Sequence, residues 1–235
     1  MKAGIIAAGD GSRLKSEGIS VPKPLVPVDG VPLIERLLSS FVRCGISEVV
    51  FIVNEYSLEV KRYVEELRLP IPVTCVVETT PSSMHSLFAL APHLLDGQFL
   101  LSTVDSIFDE GDLAGFLHYA QQRTNVDGVL AVTDYVEDEN PLYVRLDPAH
   151  RIVGFGANGA GETPPWVTGG LYIFSPRIFQ EIDTVLKDRV LRLRYFLTHL
   201  VRRGYMLEAF PFSKIVDVDH VNDIKAAEAL LRGRS

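Results

Sequence analysis

The chain has 235 residues, 47% of them hydrophobic and 23% charged, with a net charge of −7. That length suits one large domain, the acidic balance argues against a surface built to neutralise DNA or RNA phosphates, and nothing approaches the ~20 consecutive apolar residues of a membrane span. Cys44 and Cys75 are too few for a disulfide framework or thiolate metal site, and Asp10 and Arg13 interrupt the first apolar run before a secretory h-region is complete, so the expectation is a soluble cytoplasmic protein with no nucleic-acid or membrane partner.

In chain order, "KAGIIAA" (2–8) reads as a buried strand ending at glycine. "PLIERLLSSFVRCGI" (32–46) sets Leu33, Leu37, Leu38 and Phe41 at helical spacing, with Pro32 in the first turn and Gly45 as the stop. "EVVFIV" (48–53) is a second strand, "SLEVKRYVEELRL" (57–69) a helix capped by Ser57, and "PVTCVV" (72–77) a third strand. "MHSLFALAPHLL" (84–95) reads as helix, and "QFLLSTVD" (98–105) as a fourth strand ending on an acid. This alternation predicts an α/β fold of three layers, α/β/α, around a mainly parallel sheet. Such sheets bind ligands at the carboxyl ends of their strands, where "AAGDGSRL" (7–14) and "STVDS" (102–106) both fall.

The second half is less regular. "DGVLAVTDY" (127–135), "LYVRLDP" (142–148) and "RIVGFG" (151–156) read as strands, the last two as a small hairpin. "GAGETPPW" (159–166) is a loop, followed by the strand "TGGLYIFSP" (168–176), a basic helix over roughly 188–203 and the strand "YMLEAF" (205–210). "VDVDHVNDIKAAEALL" (216–231) is an acidic turn feeding a helix that Asp219 could cap. With no repeat or linker, residues 1–235 are expected to form a single domain.

Glycines in "AAGDGSRL" let backbone N–H groups approach an anion, and Arg13 adds a planar donor fork suited to phosphate. Ten residues on, Lys23 stands between stiffening prolines in "VPKPLVPV". Two cations beside a glycine turn suit a triphosphate, although the turn alone is structural about as often as not and "PKP" alone is most often a rigid surface loop. The spacing is neither a Walker A loop nor G-x-G-x-x-G, because Leu14 occupies the last position. Six scattered histidines show no metal-ligand spacing.

Together, "AAGDGSRL…VPKPLVPVDGVPLIERLL" resembles the amino-terminal signature of the nucleotidyltransferases that activate sugar phosphates and related phosphorylated small molecules. The resemblance implies a Rossmann-like fold with the hairpin on the acceptor side. It makes Ala8, Gly9, Gly11, Ser12, Arg13 and Lys23 the triphosphate cradle, Arg13 and Lys23 doubling as catalytic charges. Asp105 matches the family's strand-terminal aspartate, a catalytic Mg²⁺ ligand. The second ligand is expected at Asp219, with Asp217 close behind; a turn residue at Asp105 and an N-cap at Asp219 are the structural alternatives. Glu78 and Ser86 belong to "ETTPSSMHSLFAL" (78–90), which takes the place of the family's LGTAxA segment, Glu78 on the nucleotide side and Ser86 on the acceptor side.

The family's Glu-Lys-Pro segment, whose lysine holds a sugar phosphate, is missing from "GFGANGAG" (154–161), and Lys214 is the candidate replacement, or simply a solvated lysine. Gly170, beside Gly169, matches a strand facing the acceptor, with Thr168 or Trp166 as pocket candidates. The implied reaction moves a nucleoside monophosphate from a nucleoside triphosphate to a phosphorylated acceptor, a sugar 1-phosphate or a choline- or inositol-phosphate type, and releases pyrophosphate. "SSMHSL" with "VDVDHVND" resembles the branch that uses CTP and phospho-alcohols. The alternatives are a glycosyltransferase using "DVD" (217–219) and a nucleotide-binding regulatory module without catalysis.

Overall fold

The computed structural model describes residues 1–136, 139–156 and 165–233, so most of the expected 159–166 loop lies outside the described residues. The first half comprises β1 (Lys2–Ile6), α1 (Ser12–Ser16), β2 (Pro27–Val28), β3 (Val31–Pro32), α2 (Leu33–Arg43), β4 (Glu48–Val53), α3 (Leu58–Glu66), β5 (Val73–Val77), α4 (Ser83–Leu90), β6 (Phe99–Thr103), β7 (Ser106–Phe108) and α5 (Glu110–Gln121). The second half adds β8 (Gly128–Thr133), β9 (Tyr143–Leu146), β10 (Ile152–Gly156), β11 (Trp166–Phe174), α6 (Ile182–Lys187), α7 (Leu193–Arg202), β12 (Leu207–Pro211), β13 (Ile215–Asp217) and α8 (Val221–Arg232).

A nine-stranded sheet runs β10-β9-β11-β6-β1-β4-β5, with β8 on β11 and β12 on β8. Strands β5, β4, β1 and β6 are all parallel, the fold class expected from their alternation with helices. The antiparallel share comes from the second half, where β11 pairs with β6, β8 and β9.

Alternate side chains of the strands enter opposite layers. Ala3, Ile5, Val49, Phe51 and Val53 pack with Phe41 of α2, Val60 of α3 and Phe116 of α5. Ile6, Val50 and Ile52 face Leu87 of α4 and Phe196 and Leu200 of α7. At about 25 cal/mol per Å², each fully buried Val, Leu, Ile or Phe side chain among these contributes about 1.5–3 kcal/mol. A third, smaller cluster holds Leu14 of α1 against Val218 and Ala227 of the α8 region.

Several boundaries differ from expectation for local reasons. The helix expected over 84–95 breaks into α4 and a 3-10 turn at Ala91–His93, where Pro92 removes a backbone donor. The basic helix begins at Leu193 rather than near 188, after a separate helix α6 and a left-handed residue at Arg189. Ser57 occupies the N-cap position of α3, but its side chain makes no capping hydrogen bond. Asp219 is not the cap of α8. That position belongs to His220, in a reciprocal box with Asp223.

Candidate active site

β1 lies between β4 and β6, so its carboxyl end opens over the middle of the sheet. Past it, the Ala8 carbonyl accepts a hydrogen bond from Asn54 Nδ2 at 3.0 Å. Asn54, 2% exposed, follows β4 directly and so fixes the start of the glycine loop. Gly11 has φ +58, and a Cβ there would stand 3.0 Å from Lys23 Cβ. Glycine therefore meets both a left-handed backbone and the close passage of the 3-10 turn Lys23–Leu25. The next residues form α1, which carries Arg13.

A small antiparallel pairing brings the acids together. β7, immediately after Asp105, pairs with β13, and the Val218 N–H donates to the Asp105 carbonyl at 3.0 Å. Residues more than a hundred positions apart are thus fixed side by side. Two glycines of β11 let this pair lie close: a Cβ on Gly169 would run into Ile215, and one on Gly170 (φ +73) would stand 2.6 Å from Thr103 Oγ1.

Lys23 Nζ is ion-paired to Asp105 and, at 2.5 Å, to Asp219 Oδ1, while Arg13 Nη1 meets Asp219 Oδ2 at 2.6 Å. Burial favours the neutral amine, yet the two carboxylates outweigh it and raise the Lys23 ammonium above the usual lysine value. Burial likewise pushes Asp105 up, and Lys23 more than compensates, holding its carboxyl below the usual aspartate value. Among the described residues no ion pair reaches Asp217, and the pull of the Lys23 charge on it is outweighed. Burial first and the nearby Asp105 charge second push its carboxyl upward, while Ser106 Oγ donates to its Oδ1 at 2.8 Å.

A cleft of roughly 330 Å³ is lined by Gly9, Gly11, Ser12, Arg13, Lys23, Asp105 and Asp219, with Ser83 of α4 on its rim. Arg13 and Asp219 also face a neighbouring pocket that contains Thr168, Gly169, Asp217, Glu139 and His220. Ala8 and Gly170 line neither cleft: the Ala8 carbonyl is held by Asn54, and Gly170 packs against Ser106 and Thr103. Three further expected residues line neither cleft. Glu78 is exposed beyond β5; Ser86 is buried, paired with Thr80 Oγ1 at 2.6 Å; and Lys214 Nζ lies 3.7 Å from the centre of the Tyr135 ring. Asn54, Ser83, Thr103 and Ser106 also stand at the site, outside the motifs of the sequence. Asn54 carried a signal of its own, a polar residue straight after an apolar strand at the sheet's carboxyl edge.

Comparison with known proteins gives this arrangement its relatives. The chain is 30% identical over 192 residues to a mannose-1-phosphate guanyltransferase beta-B of Xenopus laevis, covering 78% of this chain and 52% of that protein. It is 22% identical over 185 residues to the bifunctional protein GlmU of Methanococcus aeolicus, covering 79% and 43%. The chain thus spans about half the length of the curated relatives it matches. In fold it is similar to the inositol-1-phosphate CTP transferase of T. maritima, with a TM-score of 0.83, 21% identity and coverage of 98% of this chain and 95% of that one. The nucleotidyl transferase family matches residues 2–232, and the chain belongs to that family.

Proposed function

We propose that residues 1–235 act as one catalytic domain in a Mg²⁺-dependent transfer of a nucleoside monophosphate from a nucleoside triphosphate to a phosphorylated small molecule, with release of pyrophosphate. The observation that carries the reading is the cluster of Arg13, Lys23, Asp105 and Asp219 at the mouth of the glycine loop. Two cations suited to phosphate and two carboxylates suited to a metal are collected within one cleft.

The donor set fits Mg²⁺. Asp105 and Asp219 already share a single cation, the Lys23 ammonium, so one positive centre can answer both. Among the described residues no group of three or more His, Cys, Asp or Glu forms a metal cage, and Mg²⁺ asks for only one or two carboxylates when phosphates and water supply the rest. When bound it would neutralise phosphate charge. The protein's own groups do the remainder: Gly9 and Gly11 admit the phosphates to the backbone, Arg13 holds the outer ones, and Lys23 stands where charge develops around the α-phosphorus. The acceptor's phosphate oxygen is already anionic at neutral pH, so the site needs no general base.

For the acceptor, the proposal favours CTP with a phosphorylated alcohol of the choline- or inositol-phosphate type over a hexose 1-phosphate. The support is the missing Glu-Lys-Pro segment and the "SSMHSL" and "VDVDHVND" stretches. The test is the reverse reaction. The protein is incubated with pyrophosphate, Mg²⁺ and separate CDP-, UDP-, GDP-, ADP- and dTDP-linked compounds, and nucleoside triphosphate is assayed. Metal-dependent triphosphate from a CDP-alcohol is the expected result. A product from a hexose conjugate alone overturns the acceptor assignment, and silence with intact nucleotide binding favours the regulatory module.

A further inference from the structure

Glu17 closes α1, the helix that carries Arg13, and its carboxylate crosses to the start of α8. Its Oε2 accepts the Val221 N–H at 2.7 Å, and its Oε1 meets His220 Nδ1 at 2.5 Å. His220 directly follows Asp219. From within α8, Asp223 Oδ2 accepts the backbone N–H of Asp219 at 2.9 Å and of His220 at 2.6 Å. The turn that presents the Asp219 carboxylate is therefore fixed from its own helix by Asp223 and from α1 by Glu17.

A second tie joins the same two elements, the ion pair from Arg13 Nη1 to Asp219 Oδ2. That pair joins a cation suited to phosphate to a carboxylate suited to a metal. On the nucleotidyl-transfer reading, a bound triphosphate would draw the guanidinium away and a divalent ion would draw the carboxylate away. Among the described residues, the Glu17 carboxylate is then the remaining polar link between α1 and the 219–221 turn. It touches neither the glycine loop nor Lys23, and it lines neither cleft.

We infer that Glu17 is a positioning residue that keeps Arg13 and Asp219 in register once substrate binding opens their ion pair. The inference rests on the nucleotidyl-transfer reading. Its alternative is a plain helix-capping contact that supports α8 equally with or without ligand.

Two variants and two readouts separate these. Glu17→Ala removes both contacts, whereas Glu17→Gln can still accept from Val221 N–H and donate to His220 Nδ1. Steady-state kinetics are expected to show kcat falling ~10- to 100-fold in Glu17→Ala, the scale of a small misplacement of reacting groups. KM is expected to stay within ~3-fold, and Glu17→Gln to recover most of the loss. Amide exchange over residues 217–223 is measured free and with Mg²⁺ plus a non-hydrolysable CTP analogue. The expected result is a larger acceleration by Glu17→Ala in the complex than in the free protein, where the Arg13–Asp219 pair still holds. Equal acceleration in both states, or wild-type kcat in Glu17→Ala, overturns the inference while leaving the nucleotidyl-transfer reading intact. Failure of the wild type to bind nucleotide at all sinks that reading and the inference together.

Discussion

Lys23 is a buried ammonium that stays charged because two carboxylates outweigh its desolvation. Lys23→Ala leaves Asp105 without its cation and Asp219 with Arg13 alone, and on the proposed reading it removes a donor from the point where phosphate charge builds. Turnover is expected to fall ~10²–10³-fold for Lys23→Ala and for Asp105→Ala, the cost of one well-placed charge-stabilising group. Near-normal turnover in either folded variant would remove that residue from the mechanism. Gly11→Ala tests the loop differently, since it forces a side chain into a left-handed backbone against Lys23 Cβ. About 1–2 kcal/mol of backbone strain corresponds to a melting temperature roughly 2–8 °C lower, with a raised KM for nucleotide. At this scale the opening motif was readable because its members lie close in sequence and their chemistry is distinctive. Glu78, Ser86 and Lys214 line neither cleft, and they belong to segments whose side-chain direction depends on packing that no local pattern encodes.

At the scale of elements, α7 is tied to the 3-10 turn Pro176–Glu181 through one buried carboxylate. Glu181 Oε2 meets His199 Nε2 at 2.6 Å, and Tyr205 Oη donates to Oε1 at 3.1 Å. The His199 hydrogen bond, followed by that of Tyr205, holds the Glu181 carboxyl below the usual glutamate value against its burial. A depressed acid stabilises the fold in full above its unfolded pKa, about 4.3, and this stabilisation is lost as the pH falls through the lower folded value. Urea midpoints of wild type and Glu181→Gln should therefore differ most above pH ~5 and converge in strong acid. Parallel curves would show that the carboxylate charge contributes nothing. The long elements were legible from their periodicity, and β4 spans the residues its apolar run indicated. The three-residue strands β7 and β13 were not, because each is too short to carry a period and they pair across more than a hundred residues. Yet this pairing sets Asp105 beside Asp219. The family pattern named the acids without the geometry that joins them.

At the scale of the whole molecule, the two cations proposed for phosphate rest on the two carboxylates proposed for the metal. A triphosphate arriving alone strands two carboxylates beside its own negative charge, and a metal arriving alone strands two cations. Nucleotide and Mg²⁺ are therefore expected to bind with strong positive coupling. Calorimetry with a non-hydrolysable analogue should show affinity at least ~10-fold weaker in EDTA than in Mg²⁺, with the reciprocal effect on the metal required by linkage. Equal affinities would mean that the ion pairs do not open on binding.

Strand β11 extends this division of labour along the backbone. Between Thr168 and Tyr172 its register against β8 slips, four steps on β11 matching two on β8. On one side of the slip the strand is stitched to β6 and to the buried centre; on the other, Trp166 and Val167 hold the β9–β10 hairpin. A slip of this kind interrupts the ladder that would otherwise carry a displacement from one end to the other. Beyond β11 the hairpin is tied to β12, through the Arg151–Glu208 β-bridge and the hydrogen bond from the Ala209 N–H to the His150 carbonyl at 3.0 Å, so an exchange that keeps these ties keeps its seat. Grafting a hairpin from a relative with a different acceptor should alter what is accepted while leaving nucleotide affinity and folding cooperativity near those of the parent.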